Sequence, residues 1–119
     1  MLTQKYLNDL THSIIGAAID VHKELGPGLL ESVYERCMVH LLIEKGFKII
    51  SQQTVPIIFR GLILDYDLRF DLLVDDLIIV ELKTVEGFMP VHEAQLLTYL
   101  KLLEKPKGIL INFNCVNIF

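Results

Sequence analysis

The spacing of apolar residues changes period twice along this chain, and this change restricts the possible folds more than any other feature. Up to Gly46, apolar side chains recur at the i, i+3, i+4, i+7 spacing of helices that bury one face. Because proline disfavours a helical residue before it, Gly26-Pro27 separates a helix over 3–25 from a second helix that begins at Pro27. The second helix is predicted to end with Gly46 as its C′ residue.

Between the second helix and residue 90, the chain contains short runs rich in Ile, Val, Phe and Leu, which are typical of strands. Gly61 and the Asp75-Asp76 pair mark turns between them, so antiparallel pairing is predicted. The strand-like runs are 48–54, 55–59, 62–74 and 77–84, followed by a helix over 91–104 and a buried strand over 108–113. The predicted order is α-α-β-β-β-β-α-β, with the alternative that the first two runs form one bent strand.

The chain has 119 residues, 52% of them hydrophobic, which is enough to build one domain with a substantial core. We therefore expect a single domain over 1–119. No apolar run approaches the roughly 18 residues of a membrane-spanning helix, so no membrane association is expected. Cys37 and Cys115 lack zinc-ligand spacing and are interpreted as reduced, which together with the polar N-terminus predicts a cytoplasmic protein.

Acidic residues outnumber basic residues by 15 to 11, which gives a formal net charge of −4. Proteins that bind nucleic acid through its phosphates need clustered Lys and Arg. The composition provides no broad basic surface, so a role in nucleic-acid binding would require a local patch, a divalent metal or a second subunit.

Two adjacent predicted strands carry charges on one side of an otherwise apolar run. Because successive strand residues face opposite sides, Asp71 shares a face with Arg69, and Glu81 shares a face with Lys83. A turn centred on Asp76 places Asp71 opposite Glu81 and Arg69 opposite Lys83. The other faces of the two strands are predicted to be wholly apolar; they comprise Leu68, Phe70, Leu72 and Val74 in one strand and Ile78, Val80 and Leu82 in the next.

Two carboxylates directly opposite each other repel, and burial increases this repulsion by raising the pKa of one of them. A divalent cation between Asp71 and Glu81 would remove the penalty, and Lys83 would offset part of it. The alternative is a solvated sheet face on which the two acids pair with Arg69 and Lys83. Since charged residues are common, the residues of the two strands alone favour this alternative.

Several motifs taken together resemble those of a known family. Gly28-Leu-Leu-Glu31-Ser-Val-Tyr34 matches the signature of the small GxxExxY proteins. Asp71 followed by Glu81-Leu82-Lys83 resembles the core of the PD-(D/E)xK nuclease superfamily, to which that family is assigned. Similar segments at 21–28, 92–99 and 110–113 extend the resemblance over nearly the whole chain. The resemblance implies an α/β (α+β) restriction-endonuclease-like fold, with a mixed central sheet flanked by helices. The element order of that fold agrees with the predicted order, except that this chain has one additional helix at its start.

The same resemblance implies a metal site. Asp71, Glu81 and the Leu82 carbonyl would bind Mg²⁺ or Mn²⁺, and Mg²⁺ prefers oxygen ligands. Lys83 would orient or activate the attacking water and stabilise charge on the phosphate. Glu31 would join the site directly or through water, whereas without the resemblance it is better explained as a carboxylate that the helix dipole favours.

Four further candidates would lie in or beside the cleft, in addition to Gln95. On the last helix, His92, Gln95 and Tyr99 form one stripe. Gln95 and Tyr99 match a Gln-x-x-x-Tyr element of several PD-(D/E)xK groups, in which the Gln lies beside the active site, while His92 is equally explained by a solvated face. Tyr34 and His22 could line the cleft, but a Tyr on a helix stripe is more often core and a His at a helix end often contacts carbonyls.

The resemblance predicts a metal-dependent nuclease that hydrolyses the phosphodiester bonds of DNA, in preference to RNA, with a metal-activated water. One alternative is a catalytically silent module of the same fold that binds nucleic acid or protein, and another is a hydrolase of a different phosphoester. The presence of all five core candidates favours catalysis; they are Glu31, Asp71, Glu81, Lys83 and Gln95. A homodimer or a partner protein is the expected source of additional binding surface.

Overall fold

In the computed structural model, which describes residues 3–64 and 66–115, three helices surround a four-stranded sheet, and two strands form a separate small sheet. The elements are α1 (Gln4–Leu25), α2 (Glu31–Glu44), β1 (Ile49–Ser51), β2 (Ile57–Phe59), β3 (Leu62–Leu64), β4 (Leu72–Val74), β5 (Ile78–Lys83), α3 (Pro90–Leu103) and β6 (Lys107–Asn112). Within the described ranges, no helix combines the length and the apolar character needed to cross a membrane.

The main sheet is mixed and has the order β1-β4-β5-β6. Strands β1, β4 and β5 are antiparallel neighbours, whereas β6 is parallel to β5 because α3 connects them as a crossover. The predicted mixed sheet flanked by helices is thus confirmed. The structure has one more strand before α3 than the predicted order, because the run 62–74 divides into β3 and β4.

The core consists of two apolar clusters on opposite faces of the main sheet. Helices α1 and α2 pack on one face, where Ile78, Val80 and Leu82 point. Helix α3 packs on the other face, against Ile79 and Leu73. Strand β5 is therefore covered on both sides, and every residue from Ile78 to Leu82 is buried.

The second helix begins at Glu31, so the predicted start at Pro27 is wrong. Gly26 and Gly28 adopt positive φ angles of 69° and 102°, which favour glycine and extend the break between the helices. The hydroxyl of Tyr34 holds this loop, since it donates to the Gly26 carbonyl at 2.6 Å and accepts from the Leu29 amide at 3.1 Å. At the other end, Gly46 has a φ of 92° after the last helical turn, as predicted.

The turn between β4 and β5 confirms the predicted register. Asp75 and Asp76 both adopt left-handed conformations, which Asp tolerates better than most residues, and the pairs Val74↔Ile78 and Leu72↔Val80 follow. The predicted face of Phe70 is wrong, however. Phe70 packs with Leu73 on the α3 side, because the chain bends at Asp71 and reverses the alternation. Leu68 packs against the same cluster.

Candidate active site

Asp71 and Glu81 lie side by side where β4 begins and β5 approaches its end. The backbone amide of Asp71 donates to Glu81 Oε1 at 3.1 Å, and the Leu82 amide donates to Asp71 Oδ2 at 2.7 Å. Each carboxylate is thus held by a main-chain N–H of the opposite segment. In an extended strand the N–H and C=O of one residue point to the same edge, so the Leu82 carbonyl also faces the side of Asp71.

Glu81 is only 4% exposed, and its environment disfavours the ionised carboxylate. Burial is the main cause that raises its pKa from 4.5 to about 8, and the negative charge of Asp71 adds to the increase. Lys83 acts in the opposite direction. The alternative that Glu81 lies on a solvated sheet face is therefore wrong. The two acids lie next to each other, as predicted, and both burial and the Asp71 charge disfavour ionisation of Glu81.

The ion pairs of the alternative interpretation, with Arg69 and Lys83, are not among the salt bridges of the described residues. Arg69 Nε contacts Asp67 Oδ1 at 2.6 Å, and Arg69 pairs with Thr54 instead of lying opposite Lys83. Strand β4 begins at Leu72, and Arg69, three residues earlier, is outside the segment that pairs with β5. Within residues 3–64 and 66–115, neither Asp71 nor Glu81 forms a salt bridge.

Glu35 and Gln52 belong to this cluster, although the sequence reasoning did not single them out. The Gln52 side-chain amide donates to Glu35 Oε1 at 2.6 Å and to Asp71 Oδ1 at 3.2 Å. Its backbone N–H also donates to the Asp71 carbonyl, at 2.9 Å, and its φ of 54° is left-handed. Gln52 therefore links the acid on α2 to the acid beside β4.

Burial raises the pKa of the Glu35 carboxyl, and the charges of Asp71 and Glu31 raise it further, while the hydrogen bond from Gln52 lowers it. Glu35 lies one helical turn after Glu31, and this i, i+4 spacing was the available signal that the two acids share a helix face. No comparable signal in the sequence indicated Gln52.

Glu31 is the first residue of α2 and is exposed. Its position is that of a carboxylate stabilised by the helix N-terminus. The geometry places Glu31 near Glu35, but the hydrogen-bonded connection to Asp71 runs through Glu35.

Gln95 and Tyr99 lie one turn apart on helix α3, and Tyr99 packs on the main sheet. Gln95 Nε2 donates to the Tyr99 hydroxyl at 3.0 Å. Tyr99 is 4% exposed; burial raises the pKa of its hydroxyl, and the charges of Glu81 and Asp71 raise it further. Tyr99 therefore lies near the carboxylate pair, on the α3 side of the sheet.

The other three candidates have structural contacts. His92 Nδ1 accepts the Met89 amide at 3.0 Å and so binds the start of α3. Tyr34 is fully buried and stacks on Phe113, with 4.4 Å between the ring centroids. His22 is buried, and its Nε2–H donates to the Cys115 carbonyl at 2.6 Å, which joins α1 to the segment after β6.

The chemistry of the donor set suits a divalent cation, because two adjacent carboxylates without a paired cation provide oxygen ligands and an electrostatic need for positive charge. Asp71 and Glu81 form the centre of this set, with the Leu82 carbonyl on the same edge. Among the residues that the structure describes, no cluster of three or more His, Cys, Asp or Glu side chains is arranged to hold a metal ion. Glu35 is connected to this pair through the side-chain amide of Gln52.

Comparison with known proteins identifies the superfamily of the chain. The model of the PD-(D/E)XK nuclease superfamily matches residues 8–118, a range that includes every candidate site residue. No curated protein and no solved structure matches the chain significantly. The mixed sheet flanked by helices is consistent with the restriction-endonuclease-like fold. The chain belongs to the PD-(D/E)XK nuclease superfamily.

Proposed function

We propose that this protein is a metal-dependent nuclease that hydrolyses phosphodiester bonds, in DNA in preference to RNA, with its site built in one domain over 1–119. The observation that carries the proposal is the adjacent pair of the half-buried Asp71 and the buried Glu81, in which the pKa of Glu81 is raised to about 8. Such a pair is costly in an ordinary core and is stabilised when a cation binds. The GxxExxY signature at 28–34 supports the narrower family assignment.

Asp71, Glu81 and the Leu82 carbonyl would hold Mg²⁺ or Mn²⁺. When bound, such an ion polarises the phosphate and makes a bound water more acidic. Glu31 and Glu35 would contribute through water, with Glu35 oriented by the amide of Gln52. This assignment adds Glu35, which lies one helical turn after Glu31, to the predicted set of ligands.

Lys83 would position the attacking water and donate a hydrogen bond from its ammonium group to the phosphate oxygen on which charge develops. It follows Glu81 by two residues and so shares its side of β5. Gln95 Nε2 would orient a phosphate oxygen or the water, and Tyr99 would hold Gln95 in place. His22, Tyr34 and His92 take no part in this proposal, because each already has a structural contact.

A second candidate function is a catalytically silent module with the same fold. The net charge of −4 favours it, since an acidic protein gains little from phosphate contacts. The two candidates differ in what they require of Lys83. A nuclease needs this side chain for the reaction, whereas a binding module needs it at most for affinity.

The test is cleavage of single-stranded, duplex and branched DNA and RNA by the full chain with Mg²⁺ or Mn²⁺. We expect cleavage that EDTA abolishes and that Lys83→Ala reduces by about 100-fold or more. Metal binding, measured by calorimetry, should remain in this variant. The matched control is Lys101→Ala, which removes an exposed charge of the same sign from α3. Absence of cleavage under conditions where nucleic acid binds, or equal rates in the two variants, would refute the catalytic proposal.

A further inference from the structure

Strands β2 and β3 form an arm that leaves the main sheet beside the candidate site. The arm comprises residues 57–64, and its two strands pair only with each other in the described structure. The chain departs after β1 and returns at β4, and these two strands are themselves neighbours. The arm is therefore the outer part of a long hairpin, which begins with β1 and β4, passes Gln52 and Asp71, and continues to the Val55–Leu68 hydrogen bond.

The arm exposes large apolar side chains on both of its faces. Ile58 and Ile63 are cross-strand partners on one face and are 62% and 73% exposed. Phe59 and Leu62 are partners on the other face and are 60% and 58% exposed. A two-stranded hairpin by itself is at best marginally stable in water, and native proteins rarely leave such edges and faces bare. These properties indicate a surface that another molecule covers.

The charges of the arm exclude nucleic acid as the best-matched occupant. Arg60 is the one charged residue among 57–64, and its guanidinium lies over the Phe59 ring, 5.4 Å from the centroid. Binding of a phosphate backbone needs several cations. Phe59 is the one aromatic side chain among residues 57–64, and the Arg60 guanidinium already lies over one face of its ring, so the arm offers bases little stacking surface. An apolar protein surface is the complementary partner.

We propose that the occupant is a second copy of this chain and that the arm is its dimerisation element. A two-fold axis brings the same patch of both copies together, so each arm supplies the apolar surface that the other needs. Two chains that each carry a net charge of −4 repel, and a nearly uncharged arm is the surface where contact costs least.

The exposed area agrees with this occupant. With Tyr66, which is 66% exposed just after the arm, the large side chains on both faces together present roughly 600 Å² in each copy. A contact that covers both faces therefore approaches the ~800 Å² that each partner buries in a stable complex, whereas a contact through one face would bury about half as much. Surface next to the arm supplies the remainder. The proposal does not depend on catalysis, so the nuclease assay and the oligomer assay can fail separately.

Sedimentation and light scattering of the full chain test the proposal. The protein should have twice the monomer mass of 13.6 kDa at about 100 μM and dissociate on dilution. The double variant Ile58→Lys, Ile63→Lys should weaken self-association by about 100-fold or more. The matched control is Ile43→Lys, Leu97→Lys, which places the same charges at two side chains that are each 56% exposed on helices; it should associate like the unmodified chain.

Both variants should keep the circular dichroism spectrum of the unmodified chain, because neither the arm nor the control residues belong to the two core clusters. Hydrogen exchange provides a measurement without substitution: the amides of 57–64 should exchange more slowly at high concentration. A monomer at every concentration, or equal association of the arm variant and the control, would overturn the proposal. A monomer whose arm variant alone loses binding to single-stranded DNA would also overturn it, in favour of contacts between the arm and bases.

Discussion

Replacement of Glu81 by glutamine should remove a pH dependence of stability that the carboxylate pair creates. The pKa of this carboxyl is 4.5 when unperturbed and about 8 in the metal-free folded protein. Below pH 4.5 the group is protonated in both states and has no effect. Between pH 4.5 and 8 the folded protein retains a proton that the unfolded chain releases, so the free energy of unfolding falls as pH rises. Above pH 8 the loss is complete.

The size of this effect follows from the shift. At about 1.36 kcal/mol per pKa unit, the change from 4.5 to about 8 lowers the free energy of unfolding by at most ~5 kcal/mol. Part of this loss arises from the repulsion between Glu81 and Asp71. The glutamine side chain of the Glu81→Gln variant would remain neutral at all these pH values, and its oxygen could still accept the Asp71 amide. The variant should therefore equal the original protein near pH 4.5 and exceed its stability by roughly 3–5 kcal/mol near pH 9.

Urea unfolding followed by circular dichroism, in EDTA and across this pH range, measures the difference. Glu24→Gln is the matched control, since it makes the same chemical change at an exposed position of α1. Addition of Mn²⁺ near pH 8 should stabilise the original protein and the control but not Glu81→Gln. Parallel pH profiles for Glu81→Gln and the original protein would refute the argument that Glu81 is the strained acid of the pair.

Two further predictions concern Glu35, near the site, and Tyr34, in the core between the helices and the sheet. Glu35→Gln should weaken Mn²⁺ binding by about tenfold, because Glu35 is linked to Asp71 through Gln52. Glu31→Gln should have a smaller effect. Calorimetric titration measures both affinities, and a larger effect of Glu31→Gln would contradict the prediction. Tyr34→Phe should lower the free energy of unfolding by about 1–3 kcal/mol, since it removes two hydrogen bonds between the buried side chain and the loop, to the Gly26 carbonyl and from the Leu29 amide. Urea unfolding with an unchanged midpoint would show that this hydroxyl does not hold the loop.

The period of the apolar residues predicted most of the secondary structure correctly. Helices were expected over 3–25 and 91–104 and are observed at Gln4–Leu25 and Pro90–Leu103. The start of α2 was missed because Pro27 is compatible with a first helical turn, while the choice of Glu31 depends on the contacts of Tyr34 with the loop before it. Local periodicity contains no information about such contacts.

The opposition of Asp71 and Glu81 was also predictable, because a turn centred on Asp76 determines which residues face each other a few positions away. The predicted alternation of side chains between the two sheet faces is wrong for the residues just before Asp71. A bend in the backbone moves Phe70 to the other face of the sheet, and Arg69 to a bridge with Thr54. The bend depends on pairing with the segment after β1, which lies far away in sequence.

The sequence alone determined the elements, the adjacency of the two acids and the superfamily resemblance, since each follows from residue spacing or from short motifs. Only the tertiary structure decided which further side chains complete the site and which surface remains bare. Gln52 lies 17 residues from Glu35 and 19 from Asp71, and it joins them because α2 packs beside the end of β1. The arm is apolar in sequence like any core strand, and its exposure follows from the absence of a described element packed against it.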